Sequence, residues 1–173
     1  MAVILTKERS NNSTNIKFLD LDAACCIGLN GLTFNKIEGD NCTPIGTWPL
    51  RRVFYRADKQ DTPLTQLPLI KITKQMGWCD DPKDDDNYNK LVEVPYLYSH
   101  EKLWRDDDLY DIIVELGYND RPPIKGRGSA IFMHVMARDG SPTAGCISLR
   151  KDDLLNLIRL VGLNEVLEIK ASK

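Results

Sequence analysis

Residues 131–149 run IFMHVMARDGSPTAGCISL, a histidine inside an apolar stretch followed, across a turn, by a cysteine with glycine before it and isoleucine after it. The apolar run from Ala130 to Met136 reads as a buried strand carrying His134, and Cys146 falls on the loop beyond it. Upstream, Tyr110 to Gly117 holds the β-branched run Ile112, Ile113 and Val114, a second buried strand. It leads into a loop marked by Asn119, Pro122, Pro123, Gly126 and Gly128. Downstream, Lys151 to Val161 is the one helix the periodicity supports, because Leu154, Leu155, Ile158 and Val161 recur at helical spacing. Asp152 and Asp153 sit in its first turn, where the helix dipole favours negative charge, and Gly162 suits its C-cap. Val166 to Ile169 closes the chain as a last strand.

The amino-terminal third reads as short strands, Ile16 to Leu19, Ala23 to Ile27, Leu32 to Ile37 and Trp48 to Tyr55, separated by turn residues such as Gly28, Asn30, Gly31, Gly39, Asp40 and Asn41. From Lys59 to Pro95 the chain is rich in Pro, Asp, Asn and Lys with no sustained period, and is expected to form irregular surface loops. The fold class that follows is mainly β, a sandwich or barrel with one helix near the carboxyl terminus and long loops. At 173 residues, 42% hydrophobic and 28% charged, the expectation is one domain over residues 1–173.

A net charge of −2 and a pI near 5.7 disfavour nucleic acid or an anionic membrane as partner, since either selects a basic face. No apolar run approaches membrane-spanning length, and Met1 to Asp20 lacks the basic start and apolar core of an export signal. The compartment is therefore cytoplasmic if Met1 is the true start and periplasmic if the protein is exported or trimmed. Cys25, Cys26, Cys42, Cys79 and Cys146 are odd in number and lack C-x-x-C spacing, which disfavours a disulfide framework or a zinc ribbon and leaves at least one thiol free. The acidic runs Asp80 to Asp86 and Asp106 to Asp108 lack the pattern of a calcium loop and read as solvated faces. Neither metal nor cofactor is expected, and the expected state is a monomer.

The chemistry points to the twelve-residue separation of His134 and Cys146. An unassisted thiol with a pKa near 8.5 is only about 3% thiolate at neutral pH, and an imidazole partner can raise that roughly 30-fold. Gly145 would let backbone approach a substrate, and the Gly145 and Cys146 N–H groups are candidates for holding the oxyanion formed in acyl transfer. Spacing alone is a weak signal, because buried thiols and satisfied core histidines are common.

His134 together with Thr143, Ala144, Gly145, Cys146 and Ile147 resembles the signature of the L,D-transpeptidase catalytic-domain (YkuD-type) family: His, a variable stretch, Ser or Thr, a residue that is often His, then Gly and Cys. Gly39, Asp40, Thr43, Pro44, Ile45, Gly46 and Trp48 resemble its upstream "GD…TPxG" element. Trp78 to Pro82, Tyr88, Asn89, Ser99 to Glu101, Leu109 to Asp111, Asn119 and Gly126 to Ser129 resemble a short, signal-less bacterial subgroup. The likeness runs from about residue 32 to 169.

The resemblance implies Cys146 as nucleophile and His134 as general base, their sulfur and ring nitrogen within about 4 Å. The imidazole would be oriented by a main-chain carbonyl, for which Val135 is the candidate. It implies peptidoglycan peptide stems as substrate, a thioester intermediate resolved by an amine in L,D-transpeptidation, and sensitivity to carbapenems. Water in place of the amine would make an L,D-carboxypeptidase or amide hydrolase. Loss of turnover would leave a peptidoglycan-binding module, and the missing signal keeps open a cytoplasmic thiol enzyme on an unrelated amide. Two departures stand out: Ala144 where many members carry a second His, and Ser148 where Asn or Arg is common. Thr143, Arg127, Ser129 and Trp78 are the candidate substrate contacts. Arg127 would pair with a stem carboxylate, although an exposed loop arginine is as ordinary, and Trp78 would line a cleft, although aromatics in Pro-rich loops more often pin them to the core. His100, beside Ser99 and Glu101, reads as a satisfied loop histidine.

Overall fold

The computed structural model describes residues 1–7 and 13–171. In chain order its elements are β1 (Ala2–Lys7), β2 (Thr14–Phe18), β3 (Leu21–Cys26), β4 (Leu32–Thr33), β5 (Thr43–Pro44), β6 (Gly46–Tyr55) and β7 (Leu69–Lys71). There follow β8 (Met76–Cys79), β9 (Leu91–Glu93), β10 (His100–Lys102), β11 (Ile112–Leu116), β12 (Phe132–Val135), β13 (Ile147–Leu149), α1 (Lys151–Leu160) and β14 (Val166–Ala171).

Eight of these strands close on themselves in the order β6, β11, β12, β13, β3, β2, β1, β14 and back to β6. The length of β6 makes closure possible: its first half, Gly46 to Pro49, pairs with β14, and its second, Leu50 to Tyr55, pairs with β11 on the opposite edge. The expected sandwich or barrel is therefore a barrel, which removes the exposed edges an open sheet would present. Two pairings in the ring are parallel, β1 with β14 and β12 with β13.

Side chains alternate across a strand, so each strand of the ring sends every second residue inward. Val3 and Leu5 of β1, Ile16 of β2, Ile112 and Val114 of β11, Met133 of β12, Ile147 and Leu149 of β13 and Leu167 of β14 form one buried cluster, joined by Leu154, Leu157 and Ile158 of α1. The outward residues of β6, β11 and β12 are apolar too: Phe54, Ile113 and Phe132 pack with Trp78, Leu103 and Tyr110 in a second cluster. Both faces are covered, which is why Ile112 to Leu116 and Phe132 to Val135 read as unbroken apolar runs.

The cover over that outer face is a small sheet ordered β10, β8, β9. It corrects the expectation of irregular loops from Lys59 to Pro95, a span that holds β7, β8 and β9. Strands of three or four residues carry too little alternation to be visible in sequence, and they are defined by what they pack on. The expected strand from Leu32 to Ile37 ends at Thr33. Beyond it Asp40 accepts from Ile37 N–H (2.9 Å) and pairs with Lys36 (2.5 Å), turning the chain and leaving Phe34 and Ile37 exposed. The helix does not end on Gly162. Val161 caps it in an extended conformation while still donating to the Leu157 carbonyl.

β1 had no counterpart in the reading of the sequence, yet it joins β2 to β14 and completes the ring. Leu5 is fully buried within it, facing Ile16 and Ile169 in register. Leu5→Ala should therefore cost about 2–5 kcal/mol, the range for emptying a packed leucine site. That corresponds to a melting temperature lower by roughly 5–15 °C for a domain of this size, measurable by calorimetry.

Candidate active site

His134 pairs with Ile113 across β11 and with Ser148 across β13, and its side chain is on the outer face of the barrel. Cys146 ends the 136–146 crossover that a parallel β12–β13 pair requires, which returns the chain beside the strand it left. Both residues line one cavity of about 410 Å³, together with Lys36, Glu38, Glu101 and Ser148.

The imidazole is oriented by its own strand: His134 Nδ1–H donates to the Val135 carbonyl at 2.8 Å. That bond leaves Nε2 as the ring's acceptor, the tautomer a general base needs. The Tyr110 ring meets the imidazole edge-on, with centroids 5.3 Å apart. The thiol is held differently. Cys146 Sγ donates to the Ala130 carbonyl at 3.1 Å and receives the Phe132 N–H at 3.4 Å. Among the described residues no hydrogen bond joins this thiol to His134: each is held by main-chain groups instead.

The protonation states follow from desolvation. Burial pushes the Cys146 thiol up to about 12, with the Phe132 N–H working in the other direction. Burial likewise holds His134 down at about 4, although the Val135 carbonyl favours its charged form. Desolvation dominates both groups and favours their uncharged forms at neutral pH, raising the thiol where the sequence reading expected the imidazole to lower it. Between 9.0 and about 12 folded Cys146 keeps a proton that the unfolded chain has released, so its contribution to stability falls as pH rises through that window. From 6.5 down to about 4 the unfolded chain takes up a proton that His134 refuses, so stability falls as pH drops through that one.

Two threonines pin the loop that carries Cys146. Thr43, fully buried, donates to the Gly145 carbonyl (2.8 Å) and receives Gly28 N–H (2.9 Å). Thr143 donates to the Cys146 carbonyl (2.6 Å) and receives Gly145 N–H (3.1 Å). Gly145 N–H is thus already engaged. Gly145 stands at φ +138, where a Cβ would lie 2.9 Å from the Cys42 carbonyl oxygen and 3.3 Å from Ile131. The need for glycine here arises from backbone packing beneath the loop, not only from substrate approach.

Four residues expected to contact substrate fall in different places. Thr143 and Ser129 line the cavity, but their hydroxyls are committed, Ser129 Oγ donating to Glu38 at 2.7 Å. Trp78 is buried in the outer cluster, stacked edge-on with Phe132 at 5.0 Å and donating Nε1–H to Asn89 (2.9 Å), and it does not line the cavity. Arg127 is exposed on its loop, away from the cavity lining. His100 donates Nδ1–H to the Tyr98 carbonyl (2.9 Å) on the opposite face of β10 from Glu101, which does reach the cavity.

Other residues of the site had no role assigned to them in the reading of the sequence. Asn89 Oδ1 receives Ala130 N–H (3.0 Å) as well as the Trp78 indole, and its amide holds the Tyr118 and Asn119 carbonyls. It thereby fixes Ala130, a residue at φ +50, whose carbonyl holds the thiol. Lys36, almost wholly buried and paired with Asp40, and Glu38, held by Tyr88 and Ser129, form the wall beneath the loop. Tyr88 and Asn89 were quoted above only as parts of a resemblance, and Asp40 there and as a turn residue. Among the described residues no group of three His, Cys, Asp or Glu is placed to hold a metal, and all five cysteines are free thiols.

The family model for the YkuD L,D-transpeptidase catalytic domain matches residues 8–169. No curated protein matches. Among solved structures the chain is similar to L,D-transpeptidase 1 of Mycobacterium tuberculosis, with 13% identity and a TM-score of 0.41 over 99% of this chain and 62% of that one. It is also similar to an L,D-transpeptidase from Mycobacterium smegmatis, with 13% identity and a TM-score of 0.43 over 98% of this chain and 58% of that one. The chain spans less than two thirds of the length of either.

A neutral resting thiol has a direct optical test. The ultraviolet thiolate signal that is lost in Cys146→Ala should be absent at neutral pH and emerge only above the ordinary thiol value of 9.0; a step at or below neutrality would contradict the desolvation argument. Thr43→Val, which strands a buried N–H and a buried carbonyl, should cost about 1–3 kcal/mol in denaturant unfolding and slow turnover by loosening the loop.

Proposed function

Because the chain belongs to the L,D-transpeptidase catalytic domain family, we propose that it transfers acyl groups between peptidoglycan peptide stems, with Cys146 as nucleophile and His134 as general base. The observation that carries this reading is the placement of the Cys146 thiol and the Nδ1-anchored His134 in a single cavity.

In this mechanism a stem carbonyl enters the cavity and approaches Cys146. The thiol proton passes to His134 Nε2 as the sulfur adds to the carbonyl, so that the charge pair forms only in the course of reaction. The developing oxyanion faces the backbone at Gly145 and Cys146. Because Gly145 N–H is bonded to Thr143 Oγ1, the Cys146 N–H is the first donor available to it. Collapse of the tetrahedral intermediate breaks the amide bond, the terminal D-amino acid leaves with the proton from His134, and a thioester remains on Cys146. An amine from a second stem then adds to the thioester, His134 takes its proton, and the thiolate is expelled and reprotonated. The product is a cross-link; water in place of the amine gives the trimmed stem.

The same chemistry accounts for a thiol that is quiet at rest. A carbapenem carries a strained amide whose ring opening drives acylation, and Cys146 should open it to a stable thioester.

Turnover of a defined stem tests the reading. With a disaccharide tetrapeptide and mass-spectrometric product analysis, the protein should release the terminal D-amino acid and form cross-linked dimer. Cys146→Ala should abolish both, and His134→Ala should slow them by about 10²–10⁴-fold. Release that persists in Cys146→Ala, or none from the parent protein, would overturn it.

A further inference from the structure

Ser148 is the one residue of the cavity whose hydroxyl is buried and unbonded. The residue is 1% exposed, and its Oγ has no hydrogen-bond partner. It lines the cavity that holds Cys146 and His134, and it stands directly across β12–β13 from His134 in register. Same-face neighbours on adjacent strands are within side-chain reach, since the strands lie about 4.8 Å apart. A buried hydroxyl without a partner is unusual in a folded protein and calls for a reason.

We propose that Ser148 is a positioning residue that stabilises the charged form of His134 during acyl transfer. The inference rests on the reading of Cys146 and His134 as nucleophile and base. When His134 accepts the thiol proton, a cation forms in a site built to exclude water. Nδ1 is already satisfied by the Val135 carbonyl, so the side of the ring bearing Nε2 gains a proton with little to receive it once the sulfur has bonded to carbon. A serine side chain can change rotamer about its Cα–Cβ bond as well as turn its hydroxyl, and its oxygen carries two lone pairs. Unbonded at rest, Ser148 Oγ is free to swing toward the imidazolium by a change of rotamer, accept from it and hold it until the proton passes to the departing amine. The same motion serves the second half-reaction, when His134 takes a proton from the acceptor.

The other charged or titratable groups around His134 do not supply this. Tyr110 presents its ring edge, Arg105 disfavours a cation, Asp107 favours one but is engaged with Arg105 through two bonds of 2.9 and 2.7 Å, and Glu101 is paired with Arg105. Cys146 gives up its negative charge on acylation.

The test measures Cys146 acylation by a carbapenem, followed by intact-protein mass spectrometry, in the parent protein, Ser148→Ala, His134→Ala and the double variant. Ser148→Ala should slow acylation about tenfold, as expected for loss of one hydrogen bond to a charged group. In the His134→Ala background the same substitution should change nothing, because the group it serves is gone. Ser148→Thr, which keeps the hydroxyl, should retain most of the rate, and Ser148→Val, nearly the same shape without it, should not. That pair carries the comparison if the alanine variant fails to fold. Equal slowing by Ser148→Ala with and without His134, or identical rates for the Thr and Val variants, would assign Ser148 a packing role and overturn the inference. An unmodified Cys146 in the parent protein would overturn the nucleophile reading and this one with it, whereas normal parental acylation unchanged in Ser148→Ala would overturn this one alone.

Discussion

The parallel pairing of β12 with β13 is the constraint from which the site follows. Antiparallel neighbours can be joined by a tight turn, but a parallel neighbour requires the chain to cross back and begin again at the same end. In this protein that crossover runs through residues 136–146 and delivers Cys146 at the mouth of β13, next to the strand that carries His134. The loop is then tied down from outside by Thr43 through the Gly145 carbonyl, while Asn89 fixes Ala130, whose carbonyl holds the thiol. Neither tie is local. Each uses the barrel and its covering sheet to fix a few backbone atoms around one sulfur.

The same architecture sets the electrostatics. Inward residues of the ring fill the barrel, so the reactive side chains must face outward, where an uncovered sheet would leave them in water. The β8–β9–β10 layer and the aromatic cluster of Trp78, Phe132 and Tyr110 cover most of that face and leave a cavity over Cys146 and His134. Withdrawal from water raises the thiol and lowers the imidazole, so the resting pair is neutral. An ion pair here would have to recover several kcal/mol of desolvation per charge before contributing anything. A neutral pair avoids that cost at rest, and in the proposed mechanism charge forms only when the substrate carbonyl can share it.

Much of this was legible in residues 131–149, where local pattern and chemistry coincide. The apolar run around His134 is a strand because both of its faces are covered, and the helix after it announces itself through Leu154 and Ile158 and its acidic first turn. What escaped reading depends on distance along the chain. The β1–β14 pairing joins the two ends of the molecule and leaves no local trace beyond two alternating residues, Val3 and Leu5. The covering strands are too short for periodicity to show. Trp78 and Arg127 illustrate a further limit: a tryptophan in a loop-rich region and an arginine between glycines reveal their chemistry but not which way they face, and the fold turns one into the core and the other to solvent. Asn89 was assigned no role because its task is to satisfy main-chain groups of two other segments, at 118–119 and at Ala130. The thiol pKa was misjudged because an imidazole neighbour is visible in a motif and burial is not.

The most direct test of the account is to identify the atom that carries the acyl group. Protein mixed with a tetrapeptide stem and quenched during turnover should show, by intact mass, an adduct equal to the stem less its terminal D-amino acid, and peptide mapping should place it on the fragment containing Cys146. An adduct on Cys25, Cys26, Cys42 or Cys79, or steady turnover with no covalent intermediate on Cys146, would contradict it.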